Sequence, residues 1–354
     1  MNHRLRRPSL RHGVASLATG FLLAACSTNS AFLPDRPSPA FEQGPDVSEA
    51  RNPQGDLLVC DAAPEPGGLP TAAWERTRSG IAAGTGEPRH AANDALMRAD
   101  SSAVVRAKFT YGLVHWDLAH EPVELWIDDC SGELRRVTDG RTDSDGRARF
   151  RLNAGDVPST GSFRLLFRVV GDNSFTEATL RVLPRGTKFV IFDIDETISA
   201  EGVRGTLQDA FTSDDDERVR KGAPEVTRLR RFEQGYQIIY LTGRNYALTE
   251  LTRRWLAENG FAPGTLLHTQ ELRAKWPGVS GVGEFKLRQL QELAVAGFEV
   301  VFGYGNASTD WHAYREAGLP PERILMLGDG GAPDFGTHLR EIRREGPAEQ
   351  PFDY

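Results

Sequence analysis

The chain is short of positive charge. Its 42 Lys and Arg face 49 Asp and Glu, a formal net charge of −7 over 354 residues. That balance excludes a protein held on nucleic acid by bulk charge, and it gives no general attraction to anionic lipid. Long apolar runs are missing as well. Val14 to Ala25 is too short to span a bilayer as a helix, and no other stretch is apolar enough to cross one. His268 and His312 have no His or Cys at metal-ligand spacing, so both read as structural. Asp143-Ser144-Asp145-Gly146 begins like a calcium loop but lacks the later ligands, and it reads as a hairpin or bulge turn. Gly278, Gly281 and Gly283 follow no strand, which disfavours a dinucleotide fingerprint. The remaining balance, 39% apolar and 26% charged, is that of a globular protein, and the length suits two folded domains plus tails.

Cysteine is the other scarcity, and its placement is informative. Arg4, Arg6, Arg7 and Arg11 form a basic start, and the apolar stretch after them ends Leu23-Ala24-Ala25-Cys26. That tetrapeptide resembles the lipobox of bacterial lipoproteins. The resemblance implies that residues 1–26 are a signal peptide and lipobox, with Cys26 lipidated and the protein exported and membrane-anchored on the periplasmic or extracytoplasmic face. A plain secretory signal with a chance cysteine is the alternative. Cys60 and Cys130 then remain as an even pair in a compartment that permits disulfides, so a bridge between them is expected over two unpaired thiols. Residues 27–57, rich in Ser, Pro, Asn and Gly, read as a flexible tether. Residues 58–100 show no clear pattern.

From Ala103 the apolar positions alternate. Val105, Ala107, Phe109 and Tyr111 begin the series, and Val123, Leu125 and Ile127 continue it. Ala148, Phe150 and Leu152, then Phe163, Leu165, Phe167 and Val169, then Ala178, Leu180 and Val182 complete it. Short alternating strands between turn residues predict a small antiparallel, Ig-like β-sandwich domain over residues 58–185, irregular in its N-terminal part. From Lys188 the pattern changes. Phe189–Phe192, Gln237–Leu241, Val300–Phe302 and Ile324–Leu327 are continuous apolar runs, as in parallel strands buried on both faces. Helical periodicity separates them near Glu225–Glu233, Ala247–Asn259, Phe285–Ala296 and Asp310–Ala317. Residues 186–345 are thus predicted to form a doubly wound α/β domain with its site at the carboxyl ends of the strands, and 346–354 a tail.

The first of those strands runs into Asp193-Ile194-Asp195-Glu196-Thr197. Two carboxylates at a strand end can share a pocket and attract a hard cation such as Mg²⁺. One can attack phosphorus while the other moves the leaving-group proton. The second strand ends Thr242-Gly243-Arg244, which brings a hydroxyl and a backbone amide toward a phosphoryl group. Lys286 opens a later helix, where an ammonium can neutralise phosphate and hold Asp193 ionised. The next strand ends Gly303-Tyr304-Gly305-Asn306, with Asp310 four residues on, and supplies oxygen ligands. The later run Gly328–Asp334 comes one strand too late for a metal motif and reads as a turn, and Asp214–Glu217 reads as a solvated loop.

The order of these four motifs resembles the haloacid-dehalogenase phosphatase superfamily over residues 188–328. Tyr240-Leu241-Thr242-Gly243-Arg244 and Gly303-Tyr304-Gly305-Asn306, followed by Asp310, Tyr314, Gly318 and Leu319, resemble the C-terminal domain shared by lipins and membrane-associated phosphatidylinositol-transfer proteins. The resemblance implies Asp193 as nucleophile and Asp195 as general acid/base. Thr242 and Lys286 would bind phosphate, and Thr197, Gly243 and Arg244 would face substrate. Mg²⁺ would sit on Asp193, Asp195 and either Asn306 or Asp310. The lipin pattern has Gly where this chain has Glu196, and the usual metal motif begins with Asp where Asn306 stands.

The segments able to hold a cap domain, Ser199–Gly222 and Arg244–Lys286, are short, and an open site suits a substrate whose bulk stays outside. The leading expectation is a Mg²⁺-dependent phosphatase acting through an aspartyl-phosphate on a phospholipid monoester, phosphatidate first. A non-catalytic phosphatidate-binding module and a general exported acid phosphatase on soluble esters are the alternatives. Arg244 reads equally as a substrate contact or as an ion-paired residue.

Overall fold

A computed structural model describes residues 68–128, 133–157, 160–200, 218–269, 281–327 and 334–345. Cys26, the tether, Cys60, Cys130, Asp214–Glu217, Gly278, residues 328–333 and the tail from 346 lie outside the described residues. So do residues 201–217 and 270–280 of the two segments in which a cap was sought.

A short helix, α1 (Thr77–Ala83), precedes the sandwich. The strands follow as β1 (Ala91–Ala92), β2 (Ala95–Arg98), β3 (Ala103–Lys108), β4 (Thr110–Tyr111) and β5 (Trp116–Asp117). Then come β6 (Pro122–Asp128), β7 (Leu134–Arg141), β8 (Arg147–Leu152), β9 (Gly161–Val169) and β10 (Phe175–Leu183). One sheet has the order β1-β3-β8 and the other β2-β10-β9-β6-β7, with β4-β5 a separate hairpin. Alternation drives the pattern. In β8 the arginines point outward while Ala148, Phe150 and Leu152 are buried. They share one core with Val105, Leu125, Phe163 and Phe167 from both sheets. One pairing departs from the expected antiparallel pattern: β2 runs parallel to β10, Leu180 opposite Ala95. No hairpin joins these two strands, so no short turn dictates their direction. Asp143–Gly146 is a turn as expected, with the Gly146 N–H on the Asp143 carbonyl at 3.1 Å. It links β7 to β8, which lie in different sheets, and so it is not a hairpin turn.

The second region is mixed α/β. Strands β11 (Lys188–Phe192), β12 (Gln237–Asn245), β13 (Thr265–Thr269), β14 (Glu299–Gly305) and β15 (Ile324–Met326) pair in parallel in the order β13-β12-β11-β14-β15. Helices α2 (Ala223–Arg228), α3 (Thr249–Glu258), α4 (Val282–Val295), α5 (Ser308–Glu316) and α6 (Phe335–Glu345) connect or follow them. Each face of the sheet buries its own apolar cluster. Val190, Phe192, Ile238 and Tyr240 pack with residues of α2, α3 and α6. Phe189, Ile191, Ile239 and Leu241 pack with residues of α4 and α5. The double-sided burial is why these strands read as unbroken apolar runs.

The free edge of β13 is covered by the link between β1 and β2. Asn93 Nδ2 donates to the His268 carbonyl at 3.0 Å, and the His268 N–H returns to Asn93 Oδ1 at 2.8 Å. Asp94 Oδ2 accepts from the Leu266 N–H at 2.8 Å, and its Oδ1 accepts from the Thr179 N–H at 2.8 Å. Arg253 of α3 reaches the same carboxylate at 2.8 Å. Burial works against this charge, but Arg253 and Arg181 outweigh it and hold the carboxyl below its usual range. A dipeptide of the sandwich thus does for the strand edge what another strand would do.

Candidate functional site

Three adjacent parallel strands end together. β11 ends at Phe192, so Asp193 emerges at its tip, with its N–H on the Tyr304 carbonyl of β14 at 2.9 Å. Residues 194–198 form a wide turn kinked at Asp195 and Glu196, whose backbone is not helical. Inside that turn Glu196 takes left-handed backbone, φ 56°, a conformation that glycine enters freely and that costs other residues about 1 kcal/mol. The reversal brings Asp195 and Thr197 back over the strand end. β12 delivers Thr242 and Arg244 from one side, and β14 delivers Asn306 from the other.

The two aspartates have separate cations. Lys286 Nζ lies 2.5 Å from Asp193 Oδ1 and 2.5 Å from Asp310 Oδ1, all three side chains being buried. Thr197 Oγ1 donates to Asp193 Oδ2 at 3.0 Å. Burial pushes the Asp193 carboxyl upward, with Lys286 opposing and Asp310 and Asp195 adding to the rise. Burial likewise works against the Lys286 ammonium, but the charges of Asp193 and Asp310 prevail and keep it above the usual lysine range. Asp195 is held instead by Arg244, whose Nε and Nη2 each lie 3.0 Å from Oδ1, and by the Thr242 hydroxyl at 3.2 Å from Oδ2. Arg244 is 1% exposed and also donates to Thr252 at 3.2 Å. Of its two readings, this is the geometry of an ion-paired arginine.

Asn306 and Asp310 differ in availability. Asp310 is fully buried. Its Oδ1 faces Lys286, and its Oδ2 accepts from the N–H groups of Asn306 and Ala307 at 3.2 and 3.1 Å. Gly305 makes this possible, because a Cβ there would stand 2.5 Å from that of Asp310. Asn306 faces inward with Oδ1 3.2 Å from the Thr197 hydroxyl, and its Nδ2 lies 3.3 Å from Glu196 Oε2. The site therefore gathers four carboxylates, Asp193, Asp195, Glu196 and Asp310, against two buried cations, Lys286 and Arg244. Arg220 lies outside these, donating to the Glu196 carbonyl at 2.7 Å. Gly243 follows Thr242 within β12, where a Cβ would press on Val282 at 2.9 Å.

The structure brings together Asp193, Asp195, Thr197, Thr242, Arg244, Lys286, Asn306 and Asp310. Lys286 sits in the second turn of α4 rather than at its start, since the helix begins at Val282. His268 is buried at the β13 edge, bonded to the Thr269 carbonyl at 3.0 Å. No pattern in the sequence announces that the β4–β5 hairpin reaches this end of the sheet. There His115 meets Tyr246, next after β12, with ring centroids 5.5 Å apart.

Comparison with known proteins agrees with this architecture. Residues 190–328 match the family model described as the LNS2 domain of PITM 1-3, and residues 88–182 match that of the PITM 1-3 beta-sandwich domain. Membrane-associated phosphatidylinositol transfer protein 2 of Homo sapiens is 30% identical over 269 residues, covering 73% of this chain and 18% of that protein. Its Mus musculus counterpart is 31% identical over 201 residues, covering 56% and 14%. Protein retinal degeneration B of Drosophila melanogaster is 26% identical over 269 residues, covering 75% and 20%. The chain spans no more than a fifth of the length of these three relatives. Among solved structures, one titled for the Pnkp1/Rnl/Hen1 complex is 23% identical with a TM-score of 0.33, over 45% of this chain and 54% of that one. The chain is related to the beta-sandwich and LNS2 domains of the transfer proteins, and through LNS2 to the lipin-like phosphatase domains.

Proposed function

We propose that this protein is a Mg²⁺-dependent phosphomonoester hydrolase acting on phosphatidate-type lipids through an aspartyl-phosphate. The supporting observation is the pair Asp193 and Asp195 at the end of the central strand, each with its own cation. Asp193 would attack phosphorus: among the described residues its Oδ2 has one hydrogen-bond partner, the Thr197 hydroxyl, while Lys286 neutralises Oδ1. Asp195 would leave the Thr242–Arg244 grip to protonate the departing oxygen and then to draw a proton from water. Thr242 and the Gly243 amide would receive the phosphoryl oxygens.

The donor set fits a hard divalent cation, since four carboxylates outnumber two buried cations and the donors are oxygens. Asp193, the Asp195 carbonyl and Asn306 would hold Mg²⁺, because both oxygens of Asp310 are already engaged. The ion would supply charge neutralisation for the incoming phosphate. The lipid half of the reading rests on the named relatives and on the lipobox-like Cys26, which would hold the protein at a membrane through its acyl chains.

A second reading, a phosphatidate-binding module without turnover, is favoured by one observation: both oxygens of Asp195 are already paired. Phosphate release decides between them. The expectation is Mg²⁺-dependent release from phosphatidate in mixed micelles, abolished by chelator, with higher kcat/KM than on a soluble monoester. Binding without release would establish the module. Equal or higher kcat/KM on the soluble ester would establish a general exported phosphatase.

A further inference from the structure

The hairpin of β4 and β5 carries an apolar apex that the reading above does not use. Leu113 is 85% exposed and Val114 68%, with Trp116 beside them at 39%. The exposure is built in. The tip turns through left-handed backbone at Gly112 and His115, φ 66° and 54°. The Gly112 N–H is tied to the Glu87 carbonyl at 3.0 Å. Below the apex, the His115–Tyr246 contact fixes the hairpin to the residue that follows β12, beside Thr242 and Arg244.

The surroundings are locally basic despite the acidic chain. The Arg78 guanidinium stands 5.8 Å from the Trp116 ring. Arg89 is exposed, and after burial its charge is the next cause that lowers the affinity of His115 for a proton. No described carboxylate pairs with either arginine. Asp117 is tied to Lys108 at 2.6 Å, and exposed Glu87, whose carbonyl holds the Gly112 N–H, is the opposing charge. Apolar side chains at a fixed apex, with arginines and a tryptophan behind them, match the layering of a membrane surface: acyl chains first, then anionic headgroups.

We propose that Leu113 and Val114 insert into the surface of an anionic phospholipid bilayer, with Arg78 and Arg89 on the headgroups, and that this contact turns the strand ends toward membrane lipid. The proposal rests on the lipid reading of the site and deepens it. The test uses the full chain with vesicles of phosphatidylcholine, alone or mixed with phosphatidylglycerol, a diester that the proposed chemistry does not consume. Hydrogen exchange over residues 110–117 should slow several-fold with the mixed vesicles only. Leu113→Asp with Val114→Asp should weaken vesicle binding by about tenfold or more. Hydrolysis of a soluble monoester by that variant should stay at the wild-type rate. Leu113→Ser, a milder change at a solvent-exposed position, should weaken binding in the same direction. Unchanged exchange at the tip of vesicle-bound protein overturns the proposal, as does equal binding by the aspartate variant. Absence of vesicle binding by the wild type does so too, and would make the apex a protein contact. Vesicle binding at the tip with no hydrolysis of any monoester would keep the proposal and defeat the phosphatase reading alone.

Discussion

Two clusters of buried charge are built from the same residue types and behave differently. At the edge of β13, Asp94 meets Arg253 and Arg181, and its oxygens also take the N–H groups of Thr179 and Leu266. At the strand ends, Asp193, Asp195, Glu196 and Asp310 meet Lys286 and Arg244. In the first cluster each oxygen of Asp94 already accepts a backbone N–H. The second carries a surplus of negative charge and an oxygen, Asp193 Oδ2, held by a single hydroxyl. Saturation makes a joint between the sandwich and the α/β region, whereas surplus is where the proposed function puts a cation and a phosphate.

Asp193→Asn gives the sharpest separation of the two. Monoester hydrolysis should fall at least about a hundredfold, because an amide does not attack phosphorus at a useful rate. The urea midpoint should move little beside that loss, since Lys286 keeps Asp310. A variant retaining more than roughly a hundredth of wild-type kcat would place the nucleophile elsewhere.

Asp94→Ala should do the reverse. Buried Arg181 and half-buried Arg253 lose their shared carboxylate, which costs about 3 kcal/mol of stability. Activity per folded molecule, measured on a soluble ester well below the lowered melting temperature, should remain near wild type. If activity fell while the melting temperature held, the joint would belong to the site.

Acidification should act on the joint through its histidine. Burial pulls His268 down to about 4, and an unfolded histidine titrates near 6.5. Unfolded chains therefore take up the proton first, and stability is lost as pH falls from about 6.5 to about 4, by on the order of 3 kcal/mol for this residue. His90 in the sandwich is likewise lowered to about 4 by burial and slopes the same way. Urea midpoints between pH 7 and pH 4.5 check the direction, and His268→Gln should flatten the curve.

Glu196→Gly should have the smallest effect. Glycine relieves the left-handed backbone, a gain of about 1 kcal/mol reduced by the greater freedom of the unfolded chain. A small rise in melting temperature with kcat within a few-fold of wild type is expected. A large loss of rate would give the Glu196 carboxylate, 3.3 Å from Asn306, a direct part in the site.

The site was legible because its residues stand where apolar runs stop. Asp193 and Asn306 each follow the last residue of a strand, and Thr242 stands where the apolar run of β12 stops, three residues before that strand ends. Positions were less legible than identities. Lys286 reads as a helix opening because Gly281 and Gly283 precede it, yet Val282 and Gly283 are already helical. The choice between Asn306 and Asp310 depends on two backbone amides, which no side-chain pattern displays. Asn93 and Asp94 were illegible for a similar reason: they lie between strands of two and four residues, and their partners are some 170 residues away. The β4–β5 hairpin has two-residue strands, too short for any period to register.

The cover on β13 also sets the smallest piece of this protein that can be moved into another setting. A fragment beginning at Lys188 would contain every strand of the β13-β12-β11-β14-β15 sheet, yet Leu266 and His268 would present bare amides and carbonyls along an open flank. Such a flank is a template on which separate molecules join edge to edge. Expressed alone, the α/β half should form oligomers that dilution reverses only slowly, even with every residue of the site intact. A portable unit has to start before Ala91, which makes the sandwich part of the cargo rather than an optional handle.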